Sequence, residues 1–137
     1  GSPANEVKKL RDMLPVNSKI ILAVHISLGI CEPDPAEFIP FIDAILLDSY
    51  NRTSGQVGGT GKTHDWDKSR QIVESSELPV ILAGGLNPDN VSDAIMKVKP
   101  FGIDANSGLK NSDGSRSLEL CRNYVINARK ATLAAFL

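Results

Sequence analysis

The sequence predicts an α/β fold, a leading helix and then four strand–helix units around a parallel sheet. Short apolar runs at residues 20–26, 44–47, 79–83 and 101–105 read as strands, and the first, rich in β-branched residues, reads as buried on both faces. Helix-periodic segments alternate with them, and that alternation implies parallel strands joined by crossovers. Polar and glycine residues collect behind the carboxyl ends of the runs: His25, Asp48, Gly84-Gly85, and Asp104 with Asn106-Ser107-Gly108. In such sheets chemistry lies at that end.

Taken in order, residues 5–14 carry Val7, Leu10 and Leu14 at helical spacing, closed by Pro15. The run at 20–26 is broken only by His25, which reads first as a packed core histidine. Residues 31–35 read as a loop in which Asp34 caps a short helix with Pro35 first, interrupted by Pro40. The second strand ends at Asp48, and the loop over residues 49–63 is long enough to be a functional lid or disordered. A helix is expected over residues 66–74, with Trp66 packing it onto the sheet. After the third strand, Asn87 caps a helix that has Pro88 at its first position and Val91, Ala94, Ile95 and Val98 on one face. The fourth strand is interrupted by Asp104. A turn at residues 111–114 precedes a last helix striped by Leu118, Cys121, Val125, Ala128 and Thr132.

The totals narrow the function classes. At 137 residues the chain is one domain, residues 3–137, with Gly1-Ser2 read as a tag scar. A formal net charge of -1 argues against a nucleic-acid footprint. No apolar run is long enough to cross a bilayer, and no secretory signal is visible, so no membrane partner and a cytoplasmic setting are expected. Cys31 and Cys121 form neither a metal spacing nor a disulfide framework, and no metal site is expected. With no evident basic neighbour to activate its thiol, Cys31 reads as inert.

Three constellations carry chemistry. Gly59-Thr60-Gly61-Lys62-Thr63 invites a nucleotide reading, but counting back from Gly61 puts Gln56 where a P-loop needs its first glycine. Gly84-Gly85 and Ser107-Gly108, each just behind a strand, fit phosphate better, because glycine lets backbone N–H groups approach oxygen closely. Either pair alone leaves tight turn and phosphate site evenly matched, whereas two pairs on consecutive strands favour phosphate. The last two strands of an eight-stranded (β/α) barrel set such loops side by side. Asp48 ends a fully apolar strand, where partial desolvation suits a carboxyl to give a proton near neutrality. Asp104 has similar placement and is a candidate for binding a sugar hydroxyl.

Together these residues resemble the phosphoribosylanthranilate isomerases of tryptophan biosynthesis. The resemblance runs through Leu46-Leu47-Asp48, Gly58-Gly59-Thr60-Gly61-Lys62-Thr63 with Asp65-Trp66, and Pro79-Val80-Ile81-Leu82-Ala83-Gly84-Gly85-Leu86-Asn87-Pro88-Asp89-Asn90-Val91, then Gly102-Ile103-Asp104 with Ser107-Gly108. It covers the chain from about Lys19 onward and implies strands five to eight of a (β/α)8 TIM barrel, half of the family's fold. The implied activity is an Amadori rearrangement of N-(5-phosphoribosyl)anthranilate, run without metal or cofactor. Asp48 takes the place of the family's general acid, and Gly84, Gly85, Ser107 and Gly108 its phosphate loops. The family's general base is a cysteine on its first strand, which has no counterpart here, and neither Cys31 nor Cys121 matches that motif. Asn106 stands where the family usually has serine and His64 where it usually has phenylalanine.

Proton donation without an acceptor does not complete an isomerisation, so the isolated chain is expected to be inactive. A half barrel exposes two strand edges and an apolar sheet face, so the chain is expected to form a homodimer or pair with a complementary half. A flavodoxin-like open sheet is the structural alternative. Two other functions compete with the isomerase half: a phosphate-binding module without catalysis, and a purely structural, self-associating half-barrel.

Overall fold

A computed structural model describes residues 1–49 and 64–137. The glycine-rich segment Gly58-Gly59-Thr60-Gly61-Lys62-Thr63 and the lid expected ahead of it lie outside those residues, apart from Ser49. Five strands form one sheet in the order β2-β1-β3-β4-β5: β1 Ile21–Ser27, β2 Ile30–Glu32, β3 Ala44–Asp48, β4 Val80–Ala83 and β5 Gly102–Ile103. The parallel pairs are β1 with β3, β3 with β4 and β4 with β5. Among the described residues four α-helices accompany them: α1 Pro3–Met13, α2 His64–Ser75, α3 Val91–Val98 and α4 Leu118–Phe136.

One sheet face carries the core. Val24 and Ile26 of β1, Ile45 and Leu47 of β3, and Val80 and Leu82 of β4 are buried in one cluster with Trp66, the four predicted α3 residues, Tyr124 and Ala131. The alternate residues point the other way and, among the described residues, are less covered, Ala83 apart, which is buried at the site end. Ala23, Leu46 and Ile81 are register partners in one row, and Ile21 is 53% exposed. This corrects the expectation that the first strand is buried on both faces. The runs look continuous because the open face is itself apolar, so the sequence shows no alternation. Among the described residues the parallel strands β1, β3, β4 and β5 follow chain order without reversal and α2, α3 and α4 share one buried cluster, which gives those strands no switch point of the flavodoxin kind.

The sheet is not wholly parallel. Residues 30–32, overlapping the start of the segment expected to be loop, pair antiparallel with β1 through a tight turn at Leu28 (φ 52°) and Gly29 (φ 76°). Asp34 does cap the next turn, accepting from the Ala36 amide at 3.0 Å, but only 3-10 turns follow, Pro35–Glu37 and Ile39–Phe41, rather than an α-helix. Asn87 caps a turn instead of the helix proper. Its Oδ1 accepts from the amides of Asp89 and Asn90 at 2.8 and 3.0 Å, and α3 begins at Val91.

The last helix is rotated from its expected stripe. Tyr124 and Ala131 are its buried residues, and Leu120, Cys121, Ala128 and Ala135 pack against the core, while Leu118 is 82% exposed. The leading helix buries no residue, and Arg11 ties it down: its guanidinium donates to the carbonyls of Phe41 and Ser18 and to Asp43 Oδ2. That anchor sits at the amino-terminal end of the sheet, the end away from the candidate site.

Candidate functional site

Asp48 is the last residue of β3, and the residues around it fix its position. The Ser49 amide donates to the Ala83 carbonyl at 3.2 Å and the buried Ser49 hydroxyl lies 3.4 Å from the same oxygen, so the ends of β3 and β4 are pinned together. Its side chain is 18% exposed. Because Asp48 alternates with Leu47 it faces the open side of the sheet, at its carboxyl end.

Two loops close on the same point. Behind β4, Gly84 and Gly85 take φ values of 96° and 68°, which favour glycine, and the Asn90 amide group holds the Gly85 carbonyl at 2.9 Å. Behind β5, residues 104–106 lead into a 3-10 turn, Ser107–Leu109. Arg116 clamps that loop by donating to the Asn106 carbonyl at 2.9 Å and to its side-chain oxygen at 3.0 Å. A cleft of about 490 Å³ results, lined by Asp48, Gly84, Gly85, Asp104, Asn106 and Ser107 among others. Gly108 does not line it; its role is to let one loop rest on the other, since a Cβ there would meet the Leu86 carbonyl oxygen at 2.1 Å.

Thus Asp48, Asp104 and three of the four residues expected to bind phosphate share one concave surface, with Gly108 packed against Leu86 of its lining. Its size is that of a small-molecule site. A carboxyl group, a second carboxyl across the cleft and two backbone turns can grip a polar sugar derivative bearing an anion at one end. A larger groove, about 620 Å³, lies on the helix side between β5 and α4, beside Phe101, Tyr124 and Phe136. It contains none of these groups. Burial first, then the charge of Asp104, pushes the Tyr124 phenol above its ordinary range, and its hydroxyl has no partner among the described residues.

His25 is where sequence reasoning missed a neighbour of the site. Expected in the core, its side chain is instead 54% exposed, with Nδ1 3.5 Å from Asp48 Oδ2. The available signal was its place near the carboxyl end of the first run, and in the structure its β3 register partner is Asp48. Cys31 is half-buried, and desolvation raises its thiol pKa against the opposing charge of Lys68, a basic neighbour invisible in the sequence. Among the described residues, no group of three or more His, Cys, Asp and Glu is placed to hold a metal ion. No described helix is long and apolar enough to cross a membrane.

Comparison with known proteins gives this arrangement a family. The family model for N-(5'phosphoribosyl)anthranilate (PRA) isomerase matches residues 3–127. N-(5'-phosphoribosyl)anthranilate isomerase 2 of Methanosarcina mazei is 42% identical over 127 residues, covering 91% of this chain and 55% of that protein. The solved phosphoribosyl anthranilate isomerase from Thermococcus kodakaraensis superposes with a TM-score of 0.69 at 31% identity, over 92% of this chain and 58% of that one. Another solved isomerase, in complex with reduced 1-(o-carboxyphenylamino)-1-deoxyribulose 5-phosphate, shares the fold with a TM-score of 0.60 at 24% identity, over 94% of this chain and 56% of that one. The chain spans about half the length of the curated relatives it matches. With the match extending over nearly its whole length, this chain belongs to the N-(5'-phosphoribosyl)anthranilate isomerase family.

Proposed function

We propose that this chain supplies the general acid and the phosphate cradle of a phosphoribosylanthranilate isomerase, as the half of a (β/α)8 barrel formed by its last four strand–helix units. The observation that carries the reading is the cleft shared by Asp48 with Gly84, Gly85 and Ser107. The phosphate of N-(5-phosphoribosyl)anthranilate sits against the two glycine-bearing loops, Asp104 binds a ribose hydroxyl, and the Asp48 carboxyl reaches the ring oxygen. Asp48 gives that oxygen its proton as the ring opens. The proton then taken from the neighbouring sugar carbon goes to a base on the complementary half. Neither metal nor cofactor is needed for this acid–base sequence.

The uncovered sheet face supports the half-barrel part of this reading. Ala23, Leu46 and Ile81 form an apolar row that would fill a barrel interior, and the outer strands of the sheet, β2 and β5, present the edges that would meet the other half. The partner is a complementary half-barrel or, failing that, a second copy. The setting proposed is the cytoplasm.

The test is growth of cells lacking the isomerase on medium without tryptophan, with the chain expressed alone or beside an amino-terminal half. Growth is expected only with both, and Asp48→Asn is expected to abolish it while leaving the melting temperature in place. Growth with Asp48→Asn would overturn the assignment. A phosphate-binding module would instead gain thermal stability from ribose phosphates without turnover. A structural half would show neither effect, and a dimer by light scattering.

A further inference from the structure

We propose that His25 is a positioning residue for Asp48, orienting its carboxylate and returning to it the proton given up in each turnover. This rests on Asp48 as the general acid and adds a residue to that role. The two side chains stand on one rung of the β1–β3 ladder, with His25 Nδ1 3.5 Å from Asp48 Oδ2. They differ in access to water. Asp48 keeps 18% of its side-chain surface, whereas His25 keeps 54%.

His25 does not line the Asp48 cleft. It borders a separate recess of about 260 Å³ with Ser27, Leu28, Ile30 and Glu32, so it acts on the reaction only through Asp48. Glu32 is its register partner on β2, which places the imidazole between two carboxylate-bearing strands on the open face. Cys31, the partner of Ile26, belongs with its neighbour Lys68 to the helix-covered side. Catalytic contacts of this kind are often long in an unliganded protein and tighten when substrate is bound.

The proton balance is simple. The Asp48 O–H bond breaks as its proton passes to the ribose ring oxygen, which takes the electron pair of the breaking C1–O bond while the lone pair of the substrate amine forms C1=N; loss of the proton from the next carbon then returns that pair to nitrogen as C1=C2 forms. Imidazolium Nδ1–H then transfers its proton to the Asp48 carboxylate, leaving neutral imidazole. Water on the exposed side of the ring reprotonates it. An equal proton leaves the sugar carbon to the base of the other half and so to solvent.

The experiment uses the chain reconstituted with its complementary half. In His25→Ala, kcat is expected to fall roughly 100-fold, the lower end of what a positioned proton carrier contributes. KM should stay within about twofold, because His25 does not touch substrate. Added imidazole should restore turnover to His25→Ala, and His25→Asn, which keeps a donor but carries no proton, should remain slow. A kcat near the parent's, a loss confined to KM, or a His25→Asn variant at full rate would each overturn the proposal. Loss of activity in Asp48→Asn with a normal His25→Ala refutes the relay alone, whereas an active Asp48→Asn refutes the general-acid assignment beneath it. A second measurement does not depend on turnover. In the chain alone, the NMR signal of the Asp48 carboxyl carbon followed across pH should change its profile in His25→Asn, and superimposable curves would reject the coupling.

Discussion

The α-carbon of Gly108 lies against the carbonyl oxygen of Leu86, so closely that an added Cβ would stand 2.1 Å from that oxygen and 2.9 Å from Asn87 Cβ. The obstacle is backbone, which cannot turn aside as a side chain can. Gly108→Ala therefore forces apart the two loops that flank the cleft. The expected cost is about 1–3 kcal/mol, the usual range for overpacking. Affinity for ribose 5-phosphate should fall as well, because the loops no longer meet. Urea melts with and without the ligand measure both, and a variant matching the parent in each would refute the packing argument.

Leu82 and Ile81 are neighbours in β4 with opposite surroundings. Leu82 is fully buried between the ladder partners Leu47 and Ile103, whereas Ile81 faces the open side. Leu82→Ala should cost about 2–5 kcal/mol of folding stability, as buried leucine truncations do. Ile81→Ala should cost well under half of that in the chain alone. On the proposed half-barrel reading, adding the complementary half should narrow the ranking, because Ile81→Ala would then also remove contacts across the barrel interior. Equal penalties for the two variants in the isolated chain would contradict a one-sided core.

Asp43 couples the leading helix to the sheet. Its carboxyl is held below the usual aspartate range, first by the Arg11 side chain and then by the Ile20 amide, which donates at 2.7 Å. A folded-state pKa below the unfolded value means the contribution is present above the unfolded aspartate range. It is lost as pH falls through the lower folded value. Asp43→Asn should thus melt below the parent at neutral pH and converge with it on acidification, read by circular dichroism. A constant gap at every pH would remove Asp43 from the acid limb.

Much of this was legible, and the misses have physical causes. The α3 face and the buried Trp66 were readable because their apolar spacing is unambiguous and their burial complete. The β2 hairpin was not, because its turn places Leu28 in the left-handed region, with no Asn-Gly or Asp-Gly pair to announce it. Asp48, Gly84, Gly85, Asp104 and Ser107 were placed in one cleft by a single rule: each follows an apolar run, and parallel strands align their carboxyl ends. His25 escaped because apolar residues on both faces of β1 erased the alternation that would have shown its direction. Arg11 and Arg116 were beyond the sequence for another reason. Their bonds span 32 and 10 residues, and long side chains choose partners only once the fold brings those together.

Arg116 supplies the last prediction. Its guanidinium grips Asn106 by the backbone carbonyl and the side-chain oxygen, and the Ser117 amide beside it donates to the Leu109 carbonyl at 2.9 Å. The loop between is therefore closed at its base, and Asn106 is held on the cleft wall facing the same space as Asp48. These bonds are exposed, so Arg116→Ala should shift stability by no more than about 0.5–1 kcal/mol. Its effect should fall on binding. KM in the reconstituted enzyme should rise several-fold while kcat changes little, because the loop loses its set position and the acid does not. Arg116→Lys should fail to rescue, since a single ammonium cannot match two acceptors with the spacing of the planar fork. An Arg116→Ala variant with unchanged KM would mean that the loop keeps its shape without the clamp, and that the Asn106 contact is only decoration on the surface.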